Sequence, residues 1–440
     1  MTPMLLLYKE SNMSKVKFGF ADEIITPTNL STIVLDGYGH RTTPATAVHD
    51  DLHAKVMAIE SDGEISLVFA VDLIGLNPYL YKLVTNQITA VTGIGRDHIS
   101  MVFIHTHAAP QAGIIAGMPI NVDYFAYAGE KMGRAALRAV ERLAVCRFRF
   151  AVLDAEIESA FNRRGRPFID RRIKAGVFTD EAGNIRAVLS NAACHAVLNT
   201  DFTVSADWLW ELNKLSSDEV PYFYFQGRGA DIDPVRTGGT IDDMMIKLGR
   251  ELSVPVEAFA RTAEASDISE GKLNVRYGWL KVPMMQMNDC ESLRSQVKAW
   301  EESYLSLPIT DWNKHYYLRE LEWTRKMLDI AEEGGDFDLT VPMQMITVGK
   351  DFAFAFVPFE LLTLPGEKIE ELFKAAGFDP ASIFVCGYSN SVNGYLAPPE
   401  EFEVGGYEVA GAAHWYMIPQ TCPESAPAVV NWFAEQIETL

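Results

Sequence analysis

The sequence predicts a mixed fold, α/β or α+β in class, with largely antiparallel or mixed sheets and flanking helices. Three stretches have the pattern of β-hairpins, because β-branched or aromatic residues lie on both sides of a Gly, Asp or Asn turn. Amphipathic helical patterns lie between these hairpins. Hairpins interleaved with helices favour a mixed architecture over an all-helical or all-strand one.

The individual elements can be placed in chain order. The hairpin turns fall at residues 61–63, 181–184 and 349–351, and the apolar run at residues 101–104 predicts a further buried strand. Helical periodicity covers residues 79–91, 124–143, 242–262 and 426–437. We therefore expect one continuous domain over residues 1–440.

Residues 287–335 differ from the rest of the chain. Charges recur there at i, i+3 and i+4 spacings, as in "RELEWTRK", and the helical pattern is broken at Leu307-Pro308. This pattern predicts a helical insertion with a solvated face and no catalytic group.

Composition limits the classes of partner. The 440 residues carry 38 Lys and Arg against 59 Asp and Glu, a net charge of -21, which argues against nucleic acid and anionic membranes as partners. No apolar run approaches the roughly 18 residues of a membrane span. The sequence leaves the oligomeric state open.

The N-terminus and the cysteines bear on location. The apolar run at residues 4–7 is shorter than the roughly 7–15 residues of a signal-peptide core. Five scattered cysteines without a CxxC pair are typical of free thiols in a reducing compartment. We expect a cytoplasmic protein without disulfides.

Several polar residues directly follow apolar strands. His105 and His107 follow the run at residues 101–104, His195 follows the second hairpin, and Glu360 follows the third. A buried carboxylate at a strand end is costly unless it is paired or binds a metal. Two imidazoles and a carboxylate form an ordinary catalytic zinc set. The structural alternative is that each is a hydrogen-bonded core or loop residue.

A glycine-rich turn, "QGRGADIDP", follows another aromatic strand. It carries Asp231 and Asp233, which are two residues apart and can share a site. The alternative is a solvated turn, since aspartate favours turns. The chain has neither a Walker loop nor a GxSxG nucleophile elbow.

Seven stretches, in the same order, resemble motifs of the neutral (non-lysosomal) ceramidases, over most of the chain. "FADEIITP" resembles that family's A-x-x-D-I-T-P and is followed by "LDGYG", and "HTHAAP" resembles HTHSGP. The others are "FNRRGRP" (NRSP), "CHAVLN…SADW" (H…SSD), "QGRGADIDP" (GDVSPN), "VPFELLT" (PGEFT) and "GYLAPPEEFEVGGYE" (GYVTTxEEYxxxxYEG).

The resemblance implies roles for individual residues. It makes His105, His195 and Glu360 zinc ligands and Tyr395 the fourth, with Tyr388 as the alternative tyrosine. Three further residues belong to the expected site. His107 would act as an acid/base or substrate-positioning group, and Arg163 would be a substrate-contacting cation. Asp231 is expected to orient a histidine by a hydrogen bond.

The chain also departs from the family pattern. Asp233 stands where the ceramidases have a serine, and Ala230 stands where they have a glycine. The family's C-terminal immunoglobulin-like domain is expected to be absent.

These residues predict a zinc-dependent hydrolase of an amide bond in a small molecule, and not a true ceramidase. Two alternatives remain open. One is a non-catalytic metal- or ligand-binding protein. The other is a metallo-esterase or phosphatase in which Asp231 and Asp233 hold a second cation such as Mg²⁺ or Ca²⁺.

Overall fold

A computed structural model describes residues 15–113, 119–265, 267–269, 271–308, 311 and 313–440. The apolar run at residues 4–7, on which the signal-peptide expectation rests, lies outside these residues. None of the helices in the described ranges is long and apolar enough to cross a membrane.

The described residues form strands and helices in alternating groups. The strands are β1 Lys17–Ile24, β2 Ala47–Val48, β3 His53–Ser61, β4 Glu64–Val71, β5 Ile99–Phe103, β6 Ala144–Val145, β7 Arg147–Glu156, β8 Ala160–Asn162, β9 Arg172–Thr179, β10 Ile185–Ala192, β11 Thr203–Val204, β12 Tyr222–Gln226, β13 Ile232–Pro234, β14 Asp267–Ile268, β15 Leu273–Val282, β16 Leu339–Val348, β17 Phe352–Phe356, β18 Glu360–Leu361, β19 Ile383–Cys386 and β20 Tyr395–Leu396. The helices are α1 Pro78–Thr92, α2 Val122–Glu141, α3 Trp210–Asn213, α4 Ile241–Thr262, α5 Cys290–Ser306, α6 Asn313–Glu332, α7 Thr363–Ala375, α8 Ala412–Tyr416 and α9 Ser425–Ile437.

Three larger sheets organise the fold. Their strand orders are β5-β4-β3-β1-β6, β12-β10-β9-β7-β14 and β15-β16-β17-β19. Within each sheet the described strands pair antiparallel except for one parallel pair: β4/β5, β10/β12 and β17/β19. The predicted mixed fold with largely antiparallel sheets is confirmed. So are the three hairpins, which are β3/β4, β9/β10 and β16/β17.

One phenylalanine-rich core takes side chains from all three sheets. In β17, Phe352, Phe354 and Phe356 point into this core, whereas Ala353 and Ala355 face a second cluster with α7 and α9. Strands buried on both faces are apolar throughout, which is why these strands lack an alternating polar pattern. Helices cover the outer faces: α1 and α2 on the first sheet, α4 on the second, and α7 and α9 on the third.

The polar residues that follow strands of the three sheets lie in one region. A parallel bridge between Thr106 and Ala196 joins the segments after β5 and β10, and an antiparallel bridge joins Val102 to Ser389. The short parallel pair β18/β20 adds a third segment, that of Glu360. Parallel strands end at the same edge of a sheet, so the residues beyond them meet.

Helices α5 and α6 connect β15 to β16, which pair with each other along their full length. The expectation of a fully solvated helix face here is wrong for two charges. Arg319 and Glu320 are 7% and 4% exposed, because they pack against the segment that contains α8.

The five cysteines are free thiols in the structure, as the sequence predicts. Cys146, Cys194 and Cys386 are buried. A cytoplasmic location stays a prediction.

Candidate metal centre and cavity

His105 lies just beyond β5 and is held by the segment that follows β4. Its φ of 63° is in the left-handed region, which a non-glycine residue rarely adopts without support. Its backbone N–H donates to Leu73 O at 3.0 Å, and its Nδ1 lies 2.7 Å from Ile74 O. A carbonyl oxygen can only accept, so Nδ1 carries the proton and Nε2 presents its lone pair.

His195 is fixed in the same way by the glycine-rich turn. Its Nδ1 lies 2.7 Å from Gly229 O, and its backbone N–H donates to Ile232 O at 3.0 Å. Its Nε2 therefore also presents a lone pair. The two rings are 5.1 Å apart between centroids and nearly perpendicular.

Glu360 begins β18 and completes the group. Its Oε2 lies 3.2 Å from His195 Nε2 and 3.4 Å from His105 Nε2. Its Oε1 accepts a hydrogen bond from the hydroxyl of Tyr416. Burial would raise the pKa of Glu360, but His105, His195 and Tyr416 lower it to about 2.

The three converging atoms fit a metal ion. All are hydrogen-bond acceptors when the histidines are neutral, and burial lowers the pKa of His105 to about 4. Acceptors at these distances repel one another unless a cation or a proton lies between them. Zinc ligands at about 2.1 Å in tetrahedral geometry are about 3.4 Å apart, close to the separations observed. Within the described residues, one group of His, Cys, Asp or Glu side chains could hold a metal ion, and it consists of His105, His195 and Glu360.

His107 lies beside this group and faces the cavity. Its Nε2 is 3.3 Å from His105 Nε2, and its buried Nδ1 has no hydrogen-bond partner among the residues that the structure describes. Burial lowers its pKa well below the usual value. Gly37 makes room for the ring, since a Cβ at Gly37 would lie 2.2 Å from it, and the φ of 86° at Gly37 also favours glycine.

Two tyrosines lie next to the centre. Tyr395 is the β-sheet partner of Glu360 in β18/β20 and lines the cavity. The ring of Tyr388 is 4.4 Å from the ring of His105, and its buried hydroxyl has no hydrogen-bond partner within the described part of the chain. Both are therefore near the centre, and the choice of Tyr395 as a ligand rests on the family resemblance.

Arg163 is held by two carboxylates. Its Nε donates to Glu408 at 2.8 Å and its Nη1 to Asp233 at 3.3 Å, while its guanidinium lies 5.4 Å from the centroid of the Tyr395 ring. Its buried Nη2 donates to no protein group in the described residues. Nη2 is thus the guanidinium nitrogen still open to a further acceptor, although Arg163 itself is not among the residues that line the neighbouring cavity.

Asp231 does not orient a histidine, and this expectation is corrected. Its Oδ1 accepts from the N–H and the hydroxyl of Thr363, at 2.9 and 2.8 Å, and its Oδ2 accepts from Asn162 at 2.9 Å. Asp231 thereby caps the first residue of α7, three positions after Glu360. Backbone carbonyls orient the histidines instead.

The geometry also disfavours a second cation at Asp231 and Asp233. Both carboxylate oxygens of Asp231 already accept hydrogen bonds, from Thr363 and Asn162, and Asp233 is paired with Arg163. The guanidinium already supplies the positive charge that a metal would bring. The Oδ1 of Asp233 also lies 3.7 Å from His195 Nδ1, on the side away from Nε2.

A cavity of about 260 Å³ opens next to the metal-binding group. It is lined by Gly37, Tyr38, Gly39, Ile74, His105, His107, Glu360, Tyr395, Tyr407, Trp415 and Tyr416. Sequence reasoning missed Tyr38, Tyr407, Trp415 and Tyr416. The available signals were weak: "LDGYG" contains Tyr38, the last family-like motif contains Tyr407, and an aromatic run "HWY" follows it.

Solved structures share this fold. The neutral ceramidase from Pseudomonas aeruginosa matches 97% of this chain and 75% of its own, with a TM-score of 0.73 and 16% identity. A ceramidase complexed with C2 matches 96% of this chain and 75% of its own, with a TM-score of 0.72 and 15% identity. No protein-family model and no curated protein sequence matches the chain. At this identity the likeness concerns the fold, and by fold the chain is similar to the neutral ceramidases.

Proposed function

We propose that this protein is a zinc-dependent hydrolase that cleaves the amide bond of a small N-acyl compound. The observation that carries the proposal is the convergence of His105 Nε2, His195 Nε2 and Glu360 Oε2 within 3.2–3.4 Å contacts beside a cavity. The fold likeness to ceramidases, which cleave amides, supports the bond type.

His105, His195 and Glu360 would hold the ion, with Tyr395 as the fourth protein group. Zinc bound there would activate water at neutral pH and polarise the substrate carbonyl. The buried environment of the three ligands excludes bulk water from one side, and it lowers the pKa of His105 to about 4, so that this imidazole is neutral at pH 7.

His107 is the proposed acid/base. Its Nε2 faces the centre, and its lowered pKa leaves it neutral at pH 7 and able to accept a proton before passing it to the leaving amine. Arg163 would donate Nη2 to a substrate oxygen. Because Asp233 and Glu408 offset its charge, Arg163 suits a neutral carbonyl better than a phosphate.

The substrate is proposed to be smaller than a ceramide. A cavity of about 260 Å³ is below the roughly 300–1,000 Å³ of pockets that bind drug-sized ligands. Asp233 also places a carboxylate where the ceramidases have a neutral hydroxyl. Both features suit a small polar amide better than a ceramide.

The test combines metal analysis with a substrate panel. Purified protein is expected to contain one zinc per chain and to hydrolyse small N-acyl amides faster than the matching esters or phosphate monoesters. Zinc binding without hydrolysis of any amide would favour a non-catalytic metal-binding protein. Two metals per chain together with phosphatase activity would overturn the amidase proposal.

A further inference from the structure

One wall of the cavity comes from α8, a helix of five residues. Trp415 and Tyr416 of α8 line the cavity together with Gly37 and Gly39. A Cβ placed on Gly39 would lie 3.1 Å from the Trp415 ring, so Trp415 closes directly over this glycine. The position of Trp415 therefore sets the width of the cavity.

So short a helix has little stability of its own. It follows a single π-helical turn, Tyr407–Gly411, and ends at Met417, whose φ of 53° is left-handed. The position of α8 must therefore depend on what packs against it.

Helix α6 of the insertion supplies that support through Arg319. The guanidinium carbon lies 3.7 Å from the centroid of the Trp415 ring and 4.6 Å from that of Tyr316, so Arg319 is held between two aromatic faces. Arg319 also forms an ion pair with Glu320.

A second set of α6 contacts holds the neighbouring residue, His414. Glu320 Oε2 lies 2.7 Å from His414 Nδ1, and the Trp323 ring stacks on the His414 ring at 3.7 Å. Trp323 also donates to Ile418 O at 2.8 Å, just after α8. Burying a charged pair on a largely exposed helix costs stability unless each member has partners. Here Arg319 and Glu320 pair with each other, and α8 adds the Trp415 ring against Arg319 and His414 against Glu320.

We propose that α6 determines substrate selectivity by positioning Trp415, so that the site accepts a compact planar group next to the amide and rejects a long flexible chain. The inference rests on the proposed hydrolase function for its substrate. Tyr38, Tyr407, Trp415 and Tyr416 give the cavity aromatic walls, which suit an aromatic ring by offset stacking. Trp415 is the specificity-determining residue, and Arg319 is a positioning residue that acts through it.

The test compares N-methylbenzamide with N-methyloctanamide, and N-benzylacetamide with N-octylacetamide. For the wild type, kcat/KM is expected to favour each aromatic member by about tenfold, the scale of discrimination by hydrophobic pockets. Trp415→Ala should remove this preference, and Trp415→Phe should keep most of it.

The role of α6 is tested by variants outside the cavity. Arg319→Ala should reduce the preference in the same direction as Trp415→Ala, and Arg319→Lys should partly restore it, since Lys keeps the charge over the ring. Arg325→Ala is the matched control: Arg325 is exposed on the same helix and pairs with Glu301. It should leave the preference unchanged.

Binding is measured in parallel with acetophenone and nonan-2-one, which carry the same benzoyl and octanoyl groups and cannot be hydrolysed. The wild type should bind acetophenone more tightly, and Trp415→Ala should abolish the difference in Kd. If this pattern holds without amide turnover, the proposed function fails and the inference stands. If folded Trp415→Ala and Arg319→Ala proteins keep the wild-type preference, the inference is overturned.

Discussion

The Nε2 atoms of His105 and His107 lie 3.3 Å apart, although the two residues belong to different parts of the site. Both rings line the cavity, but His105 is buried and its Nε2 faces Glu360, whereas His107 is half-buried. Their ring planes are inclined by 72°. The pair thus joins the metal-binding group to the place where a substrate would lie, and the two histidines should respond differently to substitution.

Removing a metal ligand should remove the metal. His105→Ala, His195→Ala and Glu360→Gln are each expected to lose stoichiometric zinc, because three protein ligands are the usual minimum for a catalytic zinc site. Metal content per folded chain, by plasma mass spectrometry after dialysis, checks this.

The exposed His315 on α6 provides the control for the loss of an imidazole. His315→Ala should retain the metal of the wild type. Full zinc occupancy in folded Glu360→Gln protein would contradict the assignment of Glu360 as a ligand.

His107 should matter for turnover more than for metal binding. His107→Gln is expected to keep the zinc but to lower kcat by roughly 10²–10⁴-fold, the usual contribution of a general acid/base. The measurement is kcat and zinc content on the same preparation. Loss of zinc without a separate effect on kcat would instead make His107 a metal ligand.

The i, i+2 spacing of His105 and His107 would place both side chains on one face of a strand, but their contact in the structure has another cause. Residues two apart share a face in a strand, yet β5 ends at Phe103. The left-handed φ of His105 and the bridge from Thr106 to Ala196 create the contact. A local pattern identified the residues, while long-range packing determined their geometry.

The parts that sequence reasoning missed depend on residues distant in the chain. Asp231 binds Thr363, 132 positions away, and nothing near Asp231 in the sequence indicates this contact. Likewise, Trp415 joins the cavity because α6 holds α8 in place. By contrast, the hairpins and the residues that follow strands carry local signals, and these were found.

Acid stability should depend on Glu370 of α7. This carboxylate is 2% exposed and is bound by Arg172 and Arg228 at 2.9 Å, with Lys174 at 3.4 Å. Burial would raise the pKa of Glu370, but the three cations lower it far below the usual value. A lowered folded-state pKa contributes stability that is present above the ordinary value of 4.5 and is lost as the pH falls below it.

Glu370→Gln should therefore lower the free energy of unfolding at pH 7 by about 1–3 kcal/mol, because the buried Lys174 loses its carboxylate partner while Arg172 and Arg228 still pair with Asp170. Its stability should also fall less steeply than that of the wild type below pH 4.5. Urea unfolding at several pH values measures both effects. Glu367→Gln, an exposed change on the same helix, is the control and should behave as the wild type. Equal stability of Glu370→Gln and wild type at pH 7 would refute the prediction.

The last prediction is that the protein is a poor ceramidase and that Asp233 contributes to this. Asp233 pairs with Arg163 at 3.3 Å and so offsets the charge of this guanidinium, and the sequence resemblance aligns Asp233 with a serine of the ceramidases. Wild-type protein should hydrolyse small N-acyl amides well and a short-chain fluorescent ceramide poorly.

In Asp233→Ser the zinc should remain, because Asp233 approaches His195 on its Nδ1 side and not at Nε2. Arg163 would then keep Glu408 as its carboxylate partner, so anionic products such as benzoate should inhibit this variant more strongly than the wild type. Inhibition constants and turnover of both substrates, measured on zinc-loaded protein, check these outcomes. Efficient ceramide turnover by the wild type would show that neither Asp233 nor the small cavity excludes the lipid.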